Sequence, residues 1–145
     1  MPSFLGLIII AIIGGAAVTM QAQMIGLMDQ RLGSIESVFI TYGSGAIFIS
    51  LAMAALRGGN LNAWPNVPWY AFGAGVLGLV IIGTIGYSVS RLGLVTAFTI
   101  IVASQFIIGA FFDHFGLLGA TIRPLDLSRL AGVAILLIGV WLIVR

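Results

Sequence analysis

SFLGLIIIAIIGGAAVTMQAQMIGLM, running from Ser3 to Met28, holds 26 residues without a single Asp, Glu, Lys, Arg or His. An α-helix rises about 1.5 Å per residue, so about 20 mostly apolar residues cross a hydrocarbon core about 30 Å thick. The stretch is therefore long enough to span a bilayer. It does not read as a cleaved signal peptide, because no Lys or Arg precedes Phe4 and the apolar run exceeds an h-region of about 7–15 residues. A retained helix is expected. Further stretches of the same kind follow, bounded by Glu36 and Arg57, by Val67 and Arg91, by Leu94 and Phe112 with a continuation through Gly116, and by Leu127 and Val144. The expected helices are 3–28, 37–56, 67–90, 94–116 and 127–144. Together they form one all-α transmembrane domain over 1–145.

Composition agrees. Hydrophobic residues make up 61% of the chain and charged residues 7%, with a mean hydropathy of +1.22. A water-soluble domain carries about 25% charged residues because its surface faces water. Six basic and four acidic side chains cannot cover such a surface, so lipid is the expected solvent and the bilayer the first partner. All six basic residues are arginines and the net charge is only +2, which gives nucleic acid nothing to bind. With no cysteine, disulfides and thiolate metal sites are excluded.

The connections are short. Asp29 to Ser34 reads as a helix end, with Gly33 as its C-cap and Ser34 as the next N-cap. Gly58 to Pro68 is the clearest loop, and Trp64 and Trp69 suit the headgroup level. Arg91-Leu-Gly93 is a tight turn. Asp113 to Ser128 is the last loop, where Asp113 is expected to pair with Arg123 or Arg129. Within the helices, Ala46, Ser50 and Ala54, and then Gly75, Gly78, Gly83 and Gly86, form small-residue stripes that let helix backbones approach.

Orientation is set by the excess of Lys and Arg in cytoplasmic loops. Five spans put Arg57, Arg123 and Arg129 on one side and Arg31, Arg91 and Arg145 on the other, so the rule chooses neither. A balanced count points to dual topology: copies inserted both ways, pairing as an antiparallel homodimer. Such a dimer would make a ten-helix inverted-repeat architecture from identical chains, with a substrate site near the midplane.

A polar group in hydrocarbon is costly unless hydrogen-bonded, so the intramembrane polar residues are the candidate site. Gln105 lies near the middle of the fourth helix beside Ser104, Gln21 in the first, Tyr42 in the second and Tyr87 late in the third. A mid-helix glutamine serves equally well as interhelical glue or as a ligand contact. Serines and threonines more often bond their own helix backbone. The expected substrate-binding residues are Gln21, Tyr42 and Gln105, with Ser104 and Tyr87 in second rank. No carboxylate lies mid-helix. One histidine, no cysteine and scattered acids offer no catalytic set, no metal cluster and no cofactor motif, so neither an enzyme nor a metal or cofactor is expected.

Val102-Ala-Ser-Gln105 followed by Asp113-His-Phe-Gly116, with Trp69 opening the third helix, the Gly75/Gly78 pair, Gln21, and Gly132 followed by Gly139-Val-Trp-Leu142, make the whole chain resemble the YdcZ-like family of small inner-membrane proteins in the drug/metabolite transporter superfamily. The resemblance implies a half-sized transporter whose five helices match one half of ten-helix members, so that two copies are needed. It also implies a multi-pass protein of the inner (plasma) membrane. Four-helix relatives in the superfamily export cations with a first-helix glutamate. This chain has Gln21 in that region instead, which weighs against proton-coupled cation export. The expected activity is movement of a small organic solute or metabolite, neutral or zwitterionic, by alternating access. The competing expectations are a lipid flippase and a subunit of a heterodimeric transporter.

Overall fold

A computed structural model describes residues 3–145, and among them every long element is helical. α1 spans Phe4–Leu32, α2 Ser34–Ala55, α3 Ala74–Leu92, α4 Leu94–Phe115 and α5 Leu127–Val144. Each is long and apolar enough to cross a membrane, α3 together with the 3₁₀ turn at Trp69–Gly73 that leads into it. In lipid the backbone must satisfy its own hydrogen bonds, which helices do within one segment. Most large apolar side chains lie on the outside of the protein, among them Phe4, Ile35, Phe39, Leu127 and Ile135. That distribution suits a lipid solvent and would be untenable in water.

The helix ends depart from expectation in instructive ways. α1 continues past Met28 to Leu32 because Asp29 and Arg31 do not break a helix, and Arg31 sits in the last turn where the macrodipole favours a cation. Gly33, at φ 106°, stops it and serves as both the C-cap of α1 and the N-cap of α2. Ser34 is therefore the first residue of α2 rather than its N-cap, and its hydroxyl turns to Asp29. α3 starts at Ala74, not near Val67. Pro65 and Pro68 remove backbone donors there, and the segment forms 3₁₀ turns at Leu61–Asn66 and Trp69–Gly73. Trp64 and Trp69 are both exposed in this segment, Trp64 packing edge-on against Phe72 with ring centroids 6.2 Å apart.

The chain divides into two compact units, one running through Arg91 and the other from Leu92 to Arg145. In the first, Ala22, Ile25, Gly26 and Asp29 form the buried face of α1, and Ile85, Gly86 and Val89 that of α3. The two helices touch at glycines. A Cβ on Gly26 would stand 2.8 Å from Val89 Cγ1, and one on Gly86 would stand 2.7 Å from Ile25 Cγ2. Each glycine thus receives the branched side chain of the facing helix, the close approach expected of small residues in membrane bundles. On α2, the expected stripe of Ala46, Ser50 and Ala54 is exposed.

In the second unit α4 ends at Gly116 in the left-handed conformation (φ 63°, ψ 33°), its N–H bonding Phe112 O. A Cβ there would lie 2.7 Å from Ile122 Cγ1, so the glycine also lets the following loop fold back. The loop is tied to α4 by Arg123 N–H donating to Asp113 O at 2.8 Å and Leu125 N–H donating to His114 Nδ1 at 3.1 Å. Asp126 then opens α5 as its N-cap, accepting at 2.8 Å from Arg129 N–H. These donations hold the Asp126 carboxyl below the ordinary value of 3.8, the Arg129 backbone N–H contributing most and the Ser128 hydroxyl next.

Candidate functional site

Between α4 and α5, inside the second unit, lies an open-sided cavity of about 670 Å³. Gln105, Phe106, Gly109, Ala110 and Asp113 of α4 line it at intervals of one, three and four residues, a continuous stripe along one helix face. Arg129, Gly132, Val133 and Leu136 of α5 form the other wall. A glycine on each wall, with Ala110 beside the one on α4, leaves the gap open, since a Cβ at Gly109 or Gly132 would have nothing within 4 Å. From Asp113 to Gln105 the cavity follows α4 for about 12 Å, a third or more of the hydrocarbon thickness. Its lining is apolar except at the ends, where Gln105 marks one and Asp113 with Arg129 the other.

Asp113 does not make the ion pair expected of it. Its link to Arg123 is through its backbone carbonyl, and Arg129 Nη1 donates to Arg123 O at 3.4 Å. Among the described residues no side chain within 4.0 Å pairs with Asp113, and the one ion pair is Asp29–Arg91. The reason is geometric: the loop folds back onto α4 by backbone bonds, which carries the Arg123 main chain to Asp113. Asp113 and Arg129, both half-buried, therefore face one cavity as separate opposite charges.

The first unit holds a polar cluster of another kind. The Asp29 carboxylate, its side chain only 3% exposed, accepts the Ser34 hydroxyl on Oδ1 and, on Oδ2, the Ser90 hydroxyl at 2.6 Å and Arg91 Nη1 at 3.1 Å. The Arg91 guanidinium lies over the Tyr87 ring, 3.5 Å from its centroid, and Gln30 Nε2 reaches Ser90 O at 3.3 Å. One carboxylate thus ties together the end of α1, the start of α2 and the end of α3. α1 is about 44 Å long at 29 residues, so this cluster falls beyond the hydrocarbon core if Phe4 starts at the opposite interface. Its donors from three helix ends converge on the one Asp29 carboxylate, which makes it a clasp between helix ends.

Of the residues expected to bind substrate, Gln105 lines the α4–α5 cavity. Ser104, beside it, donates to Ile101 O at 2.7 Å and so turns back onto its own helix. Thr99 and Ser44 do likewise. Tyr42 places its hydroxyl against Gly78, so that ring fills the space between α2 and α3 left by a missing side chain. Tyr87 lies under Arg91, about 13 Å further along α3 than Gly78. Gln21 is exposed on α1. Sequence reasoning overlooked Arg129 as a cavity residue and the whole Asp29 cluster. A signal for the latter was present: Ala22, Ile25, Gly26 and Asp29 stand at i, i+3, i+4 and i+7, the spacing of one helix face. The small residues on that face mark it as the packed one.

Five membrane-length helices, their apolar surface outward, define a polytopic membrane protein, with an open-sided and mostly apolar cavity between α4 and α5 that carries charged side chains at one end. The chain belongs to the family described as "Putative inner membrane exporter, YdcZ", whose model matches residues 6–142. No curated protein and no solved structure matches it. It is accordingly a multi-pass protein of the inner membrane, in a family of membrane transporters and not in an enzyme class.

Proposed function

We propose that this protein moves a small organic solute across the inner membrane by alternating access, with the α4–α5 cavity as its binding site. The observation that carries the reading is that cavity, with Gln105 lining the end away from Asp113 and Arg129. An amide offers one acceptor and two donors, so it binds a neutral or zwitterionic group without charge pairing. Gln21, Tyr42, Ser104 and Tyr87 are proposed as further solute contacts met at other stages of the cycle. The chain acts as one transport domain, and its working form is a dual-topology antiparallel homodimer. The equal split of arginines, three against three, supports that assembly.

Two experiments test the reading. Because the chain has no cysteine, a cysteine appended after Arg145 supplies a unique thiol and leaves the three-against-three split of arginines unchanged. A membrane-impermeant maleimide is expected to label about half of it in intact spheroplasts, as equal insertion requires. Labelling of all or none means a single orientation and removes the antiparallel homodimer. For the site, proteoliposomes loaded with neutral and zwitterionic metabolites are expected to release at least one of them, with Gln105→Ala slowing release about tenfold, the worth of one or two solute hydrogen bonds. Transport unharmed in both Gln105→Ala and Gln21→Ala, with both variants folded, refutes the assignment.

A further inference from the structure

We infer that the solute of the α4–α5 cavity is an amphipathic zwitterion, its cationic group held at Asp113, its anionic group at Arg129 and its apolar body lying along the helices; the inference rests on the cavity being the transport site. The cavity lining contains two charged side chains, Asp113 and Arg129, of opposite sign. Both are half-buried, and they make no ion pair with each other. A half-buried charge at a membrane interface needs a partner, and the energetic cost of leaving it without one grows as water is excluded.

Neighbouring groups make no ion pair with either charge. Asp126 acts on Arg129 electrostatically, but its Oδ1 accepts the Arg129 backbone N–H and the Ser128 hydroxyl, and among the described residues no contact within 4.0 Å joins the carboxylate to the guanidinium. The Arg129 guanidinium has one backbone contact, to Arg123 O at 3.4 Å, which leaves most of its five donors open. On the other wall His114 is engaged through Nδ1 with Leu125 N–H, and Arg123 reaches Asp113 only by its backbone. A ligand with a single positive charge would leave the Arg129 guanidinium without an ion pair, and one with a single negative charge would leave Asp113 so. A molecule carrying both satisfies both. Between the charged end and Gln105 at the other, the walls are Phe106, Gly109, Ala110, Gly132, Val133 and Leu136, which accept an alkyl or aryl body along a stretch of about 12 Å. A bilayer lipid with a zwitterionic headgroup and a soluble amphiphile share this chemistry.

The test uses the full chain in nanodiscs of phosphatidylglycerol, which contain no zwitterion. Gly109→Cys places a unique thiol in the cavity at a position where a Cβ meets nothing within 4 Å, and its labelling by N-ethylmaleimide is followed by mass spectrometry. Dodecyl betaine is expected to protect the thiol at concentrations about tenfold lower than dodecyltrimethylammonium or dodecanoate, the ratio one charge-assisted hydrogen bond supports. Arg129→Gln should erase the advantage of the betaine over the cation, Arg129→Lys should keep most of it, and Asp113→Asn should erase the advantage over the carboxylate. Protection by dihexanoylphosphatidylcholine as good as that by the betaine assigns the source to bilayer lipid. Protection by the betaine alone assigns it to a soluble amphiphile, and either supports the inference.

Equal protection by all three single-chain amphiphiles overturns it, as does a thiol that labels fast whatever is added. A thiol that is slow without any probe and cross-links readily between copies shows the groove filled by a second chain, which also overturns it. The protection result needs no charge variant to fold. Loss of transport in Gln105→Ala combined with equal protection would sink the zwitterion and leave the cavity as the transport site. Normal transport in Gln105→Ala combined with selective protection would sink the site's transport role and leave its chemistry standing.

Discussion

Removing the Asp29 carboxylate should destabilise the three-helix unit more than any other single charge change in it. The carboxylate accepts from Ser34, Ser90 and Arg91 while almost fully buried. Hydrogen bonds to a charged group contribute a net ~1.5–3 kcal/mol each, and the desolvation of the carboxylate offsets several kcal/mol of their sum. Asp29→Asn preserves the shape, yet its amide can accept on one atom only and presents donors to donors on the other. The Ser90 hydroxyl recovers part of the loss through Tyr87 O, 3.0 Å away. The expected cost is about 3 kcal/mol, or over a hundredfold in the folding equilibrium. Arg91→Gln should cost only about 1 kcal/mol, because the guanidinium side chain is 51% exposed and an exposed partner is screened. SDS-induced unfolding in mixed micelles, followed by circular dichroism, measures both variants, and the double variant gives their coupling, expected at about 1 kcal/mol. An Asp29→Asn cost below about 1 kcal/mol, or an Arg91→Gln cost above that of Asp29→Asn, would refute the clasp as described.

Further predictions concern single positions. Gly26→Ala forces a methyl to 2.8 Å from Val89 Cγ1 and should cost about 1–3 kcal/mol as overpacking. Gly14→Ala, with nothing within 4 Å of the new Cβ, should be neutral or stabilise by up to about 1 kcal/mol, and the same unfolding titration separates them. Asp126 has a carboxyl lowered below its ordinary 3.8 by the Arg129 N–H and the Ser128 hydroxyl, so its contribution is fully present above that value and fades as pH falls through the lowered one. Hydrogen exchange at the first turn of α5 should accordingly stay slow at neutral pH and quicken in strong acid relative to an internal helix standard, whereas Asp126→Asn should show no such acid step. His114 Nδ1 accepts the Leu125 N–H at 3.1 Å. His114→Phe should therefore speed exchange of the Leu125 amide about tenfold, the worth of one hydrogen bond, and unchanged exchange would refute that bond.

The proposed solute contacts differ in what lies beside them. Tyr42 and Tyr87 are engaged within the first unit, against Gly78 and Arg91, and Ser104 bonds its own helix. Gln105 faces open space. The cavity rather than the count of polar residues is what gives Gln105 its place in the proposed function.

What the chain by itself determined was the number and approximate extent of the spans. Uncharged runs of about 20 residues are a local property, and in lipid the helix is the local solution to backbone hydrogen bonding. The fifth helix, with Asp126 before it and Arg145 after it, is legible to the residue, and the short connections follow from Gly33, Gly93 and Gly116. The starts of α2 and α3 were less legible, because Gly33 takes both caps and two prolines divert 61–73 into 3₁₀ turns. Only tertiary structure decided which polar groups meet. Asp29 joins Ser34, Ser90 and Arg91 because α1 and α3 cross at Gly26 and Gly86, while Asp113 and Arg129 stay apart because backbone bonds set the loop between them. A span is encoded by the solvent around one helix. A pairing depends on the rotation and depth of two, and a hydropathy pattern records neither.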